Sequence, residues 1–62
     1  MDAAFGFPKK CRMAIHILMD RIGMSADIAY HSLLMAAALH DLRPEDEQTV
    51  QIILQDCGVE VE

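Results

Sequence analysis

The residues able to do chemistry in this chain are few: two cysteines, Cys11 and Cys57, and three histidines, His16, His31 and His40. A thiol becomes a catalytic nucleophile when an adjacent base takes its proton and a further group orients that base. No motif ties either cysteine to a histidine in this way, and helical periodicity puts both cysteines on apolar stripes that face a core. His16 and Asp20 stand four residues apart on one helix face, with Cys11 nearby in sequence. That spacing matches neither Cys-x-x-Cys nor His-Glu-x-x-His, so it reads as a surface His–Asp contact rather than a zinc site. His31 falls in a polar seam of an otherwise apolar helix. It reads as an interior histidine, one that at an interface makes assembly sensitive to pH. Gly6, Gly23 and Gly58 are isolated, so no glycine-rich loop cradles a phosphate. The expectation is a chain that is not an enzyme, with no catalytic residue, no metal and no cofactor.

The element that positions everything else is the stretch 25–42. It lacks proline, glycine and valine and is dense in Ala, Leu and Met, all strong helix formers. Ser25 is a good N-cap, and Asp27 sits where the helix dipole favours an anion. At roughly 100° per residue, Ile28, Met35, Leu39 and Leu42 share one side, while Tyr30, Leu33, Leu34 and Ala37 share nearly the opposite one. Asp27, His31 and Asp41 leave only a thin polar seam. A helix apolar almost all round is normally buried. Two short flanking helices are too little to bury it.

Those flanking helices are read at 8–22 and 44–57. Residues 1–7 form a lead-in, where Phe7 serves as a hydrophobic staple on the first turn, and Pro8 opens the first helix. Cys11, Ala14, Ile15, Leu18, Met19 and Ile22 form its core face, opposite Lys9, Arg12, His16 and Asp20. Met13 and Ile17 fall outside that stripe and suggest a second contact surface. Gly23 caps the end. Pro44 opens the third helix, and Glu45, Asp46 and Glu47 load its first turn with negative charge. Val50, Ile53, Leu54 and Cys57 form its stripe, and Ile52 points elsewhere. Gly58 is the C-cap with Val59 closing it, and residues 59–62 are a tail.

The totals agree. A chain of 62 residues holds one domain, and at this length burial and ordering entropy nearly cancel. Two cysteines are too few for a disulfide framework, so free thiols in a reducing compartment are expected. Aromatic residues are only 5% of the chain, which leaves Leu, Ile, Met and Ala to build the core, a composition suited to helix packing. No signal peptide and no uninterrupted run of about 18 apolar residues is visible, so the expected location is cytoplasmic, with no membrane contact. The net charge of −5 is uneven: residues 1–21 sum to +2, residues 22–42 to −2 and residues 43–62 to −5. Such an acidic third helix argues against a helix-turn-helix reader of DNA, which needs a basic recognition helix.

Residues 14–54 carry a more specific pattern. Leu18-Met19-Asp20-Arg21-Ile22-Gly23 is followed by Met24-Ser25, Ala29-Tyr30, Leu33 and Ala37, then by Val50 and Ile53-Leu54. This resembles the ANTAR family, the three-helix domains of bacterial transcription-antitermination regulators, with their Leu-Met-x-Arg-x-Gly turn and Ala-aromatic pair. The resemblance implies a three-helix fold, dimerisation and binding of RNA hairpins, for which Lys9, Lys10, Arg12 and Arg21 are the candidate contacts here. The family's Ala-Lys-Gly is replaced by Ala14-Ile15-His16, and its Leu-Arg by Leu33-Leu34. Two basic positions are thus apolar, in a chain with only five Lys and Arg to meet phosphates.

The expectation is an all-α, small three-helix bundle, completed by dimerisation or by a protein partner. Its function is read as non-enzymatic regulation through protein–protein contact, in transcription control. Met13, Ile17, Leu34, Met35 and Ile52 are the candidate interface residues. RNA-hairpin binding is the alternative, and a free-standing acidic inhibitor of phage or mobile-element type is the third reading.

Overall fold

The computed structural model describes residues 4–58 of the chain. It is all-α: a 3-10 turn Lys9–Cys11 leads into α1 (Arg12–Ile22), followed by α2 (Ala26–His40) and α3 (Glu47–Asp56). Each helix packs on the other two. Residues 1–3 of the expected lead-in, the Val59 contact and the 59–62 tail lie outside the described residues.

The ends of α1 and α2 follow local rules. Pro8 is extended (φ −53°, ψ 134°), so the first helical turn is the 3-10 segment, closed by Cys11 N–H on the Pro8 carbonyl at 2.9 Å. The expected helix from Pro8 therefore begins one residue later and becomes α-helical only at Arg12. Gly23 ends α1 at φ +86°, its N–H donating to the Met19 carbonyl at 3.0 Å. This left-handed position is where glycine lacks the Cβ penalty. Across 23–25 the chain bends by 111°. Ser25 then caps α2, its hydroxyl accepting from Ile28 N–H at 3.4 Å.

The α2–α3 connection is longer than the sequence reading expects. Asp41 takes φ +54°, and Leu42 N–H reaches back to the Ala37 carbonyl at 2.8 Å. That six-to-one bond closes α2 at His40 rather than Leu42. Pro44 does not open α3. It sits inside a turn, where Asp46 N–H bonds the Arg43 carbonyl at 3.0 Å and the Asp46 carboxylate accepts from Arg43 N–H at 3.3 Å. Proline's fixed φ suits the second position of such a turn. Thr49, fully buried, pins the turn to α3 by donating its hydroxyl to the Arg43 carbonyl at 2.7 Å. The helix starts at Glu47 because residues 43–46 are already committed to this turn.

The core is aliphatic. Ile15 and Leu18 of α1, Leu33 of α2 and Thr49 of α3 are the largest fully buried side chains. Ala14, Ala29, Ala36, Val50, Ile53 and Leu54 fill between them. Burying a leucine such as Leu33 contributes about 1.5–3 kcal/mol. Phe7 packs at the edge of this cluster, its ring 5.1 Å from that of Tyr30 and tilted by 50°. The lead-in thus anchors on α2. Ala4, also fully buried, extends the core towards it.

Candidate protein-contact surface

The middle helix turns its small residues inward. Ala29, Leu33, Ala36 and Ala37 are buried, whereas Ile28 is 58%, Leu34 40%, Met35 52% and Leu39 78% exposed. Ile28, Met35 and Leu39 lie along one line of the helix, and Leu34 lies about 100° round from Met35. Alanines let α1 and α3 approach the α2 backbone closely. The same periodicity then leaves the large residues outside. Soluble chains rarely expose contiguous apolar patches of more than a few hundred Å² without a function. His31 lies exposed beside this line, not in the interior as its seam position suggests.

The exposed line of α2 borders a groove against α3 of about 220 Å³. Met24, Met35, Leu39 and Ile52 give it apolar walls, and His40, Asp56 and Cys57 edge it. Ser32 donates weakly to Met24 Sδ at 4.0 Å at the groove wall. A second groove of about 400 Å³ lies between α1 and α3, bordered by Lys10, Met13, Ile17, Glu45, Glu47 and Val50. The five candidate interface residues therefore divide. Met35 and half-buried Ile52 share the first groove, 77%-exposed Met13 and half-buried Ile17 share the second, and Leu34 borders neither. Ile28 and Leu39 are the surface residues missing from that set. Their signal was the side they share with Met35, opposite the alanines.

The candidate RNA contacts are also divided. Arg12 is held by its own lead-in: Nε donates to the Phe7 carbonyl at 3.2 Å, Nη2 to the Phe5 carbonyl at 3.0 Å, and the guanidinium lies 5.3 Å from the Phe5 ring centre. Arg21, nine residues on, projects from the opposite side of α1 at the helix's far end. Lys9 and Lys10 stand exposed on the 3-10 turn.

The two thiols differ. Both are free, but Cys11 is buried and Cys57 exposed. Cys57 was expected in the core; it falls just past the last residue of α3, where the stripe no longer points inward. Burial pushes the Cys11 thiol above its ordinary value of 9.0, Glu45 reinforces this, and Lys10 opposes it. A raised thiol is a poor nucleophile. His16 and Asp20 are both exposed on α1. Among the described residues no three His, Cys, Asp or Glu side chains come together in a group able to hold a metal ion. No single helix among them is long and apolar enough to cross a membrane. Against protein-family models, curated proteins and solved structures, the chain shows no match.

Proposed function

We propose that this protein is a non-enzymatic contact module that acts by docking another protein on the outer side of α2 and the adjoining α3 groove. One observation carries the reading: the middle helix presents Ile28, Leu34, Met35 and Leu39 to solvent while its alanines fill the core. Without a partner, that surface meets its counterpart on a second copy. A role in transcription control rests on the ANTAR-like pattern of residues 14–54. The RNA-binding reading draws less support, because Arg12 is occupied by the Phe5 and Phe7 carbonyls and Arg21 faces away from it.

Sedimentation of the pure protein over a range of concentration and salt tests this. Each copy carries −5, so screening the mutual repulsion strengthens self-association. The expected result is reversible association that rises with salt and is lost in Leu39→Glu, with helicity unchanged. A Leu39→Glu variant that associates as well as wild type refutes it; a wild-type monomer at all concentrations refutes the second copy as occupant and leaves docking to a different protein as the reading under test.

A further inference from the structure

The groove between α2 and α3 has an electrical character that its apolar walls alone do not require. The chain has five Lys and Arg residues, Lys9, Lys10, Arg12, Arg21 and Arg43, and none borders the groove. All but Arg43 belong to the 3-10 turn and α1, neither of which contributes to its lining. The one carboxylate bordering it is Asp56, in the last turn of α3, where no basic residue is present. An acid there sits against the negative end of the helix dipole, an unfavourable arrangement within the folded chain. The groove thus pairs apolar walls, two of them methionines that adapt to different shapes, with an edge that carries the Asp56 carboxylate and no Lys or Arg, the His40 imidazole being its one basic group.

We infer that the occupant of this groove is a basic amphipathic helix of a partner protein, its apolar face against Met24, Met35, Leu39 and Ile52 and a Lys or Arg against Asp56. The inference rests on the contact-module reading and names the chemistry of the partner. The α2 wall from Ser32 to His40 spans about two helical turns, or ~12 Å, which admits apolar anchors at i, i+3 or i+4, and i+7. A partner cation at Asp56 also supplies the countercharge that the α3 terminus lacks. A second copy of this chain supplies it poorly, since each copy is acidic overall and its cations lie away from this surface.

The probe is a fluorescein-labelled synthetic helix of about 18 residues with leucines on one face and lysines on the other, long enough to form a helix on binding. The control peptide carries glutamates in place of the lysines. Anisotropy should show that the lysine peptide binds and the glutamate peptide does not, with affinity falling as salt rises. Asp56→Lys should weaken binding at least about tenfold while raising the thermal midpoint of the unliganded protein, because it corrects the charge at the helix end. Leu39→Glu should abolish binding. Failure of the lysine peptide to bind, equal binding of both peptides, or undiminished binding by Asp56→Lys overturns the inference. If the lysine peptide fails while salt-promoted self-association is still lost in Leu39→Glu, the second copy is the occupant and the contact-module reading survives. If both signals are missing, both fall.

Discussion

The two sides of α2 invert the usual arrangement of a surface helix. Inward lie Ala29, Ala36 and Ala37 with a single large residue, Leu33; outward lie Ile28, Leu34, Met35 and Leu39. On an ordinary bundle helix the large apolar residues face the core and polar ones face water. Here the core is built mainly by the larger residues of the neighbours, Ile15 and Leu18 from α1 with Val50, Ile53 and Leu54 from α3. The middle helix serves as a thin spacer that they close upon. Its bulk is left exposed. The core and the proposed contact surface therefore lie on opposite sides of one helix, and each side can be damaged without the other.

The largest effect is expected on the inner side. Leu33→Ala removes a fully buried side chain, at a cost of about 2–5 kcal/mol. Leu39→Ala, the same chemical change on the outer side, should stay within about 0.5 kcal/mol. Denaturant unfolding followed by circular dichroism measures both. Equal losses at the two positions would show that the outer side is sheltered within the monomer. Next in size is overpacking: Ala29→Leu forces three extra carbons into a position with no exposed surface, and should destabilise by about 1–3 kcal/mol. Ala38→Leu, on the exposed side, should leave stability unchanged and strengthen self-association.

How far this contrast was legible beforehand differs between its parts. Three helices, the Ser25 cap and the Gly23 stop follow from short-range rules, and their residues read directly. The excess of apolar surface on residues 25–42 was legible too, since it needs only a count of faces. Which side goes inward was not. Periodicity sorts residues into sides, but the choice depends on how closely α1 and α3 approach, a distance set by the alanines and by residues remote in sequence. The start of α3 at Glu47 is hidden for a related reason. Pro44 followed by three acids suits a helix N-terminus, yet the same residues also make the turn that Thr49 locks through Arg43. The stripe of Cys57 and the seam of His31 suggest the interior; the first lies past the helix end, and the second on the exposed side of α2.

The thiols report the inside and outside independently of α2. Cys57 should react promptly and stoichiometrically with a disulfide reagent in the native protein, and Cys11 only after unfolding. The raised Cys11 value carries a sign for stability. The folded state holds that proton more tightly than the unfolded one, so the contribution is fully present below the ordinary value of 9.0 and declines as pH rises above it. Cys11→Ala should remove this alkaline decline, whereas Cys57→Ala should leave it. A melt series across that range with the two variants checks the assignment.

The smallest effect tests whether α2 can be strengthened without touching either side. Asp41 ends the helix at φ +54°, a left-handed conformation that costs an L-residue energy, and its carboxylate faces the negative end of the dipole. Asp41→Gly relieves both, against the greater freedom that glycine gives the unfolded chain. The net gain should be about 0.5 kcal/mol. Asp41→Asn removes the charge while tolerating the same backbone, so the difference between the two variants is the dihedral relief net of glycine's freedom in the unfolded chain. Because Asp41 lies beyond the line of Ile28, Met35 and Leu39, neither variant should alter self-association at high salt, where charge is screened. A change in association there would mean that the turn at 41–46 takes part in the contact and that the surface extends past the end of α2.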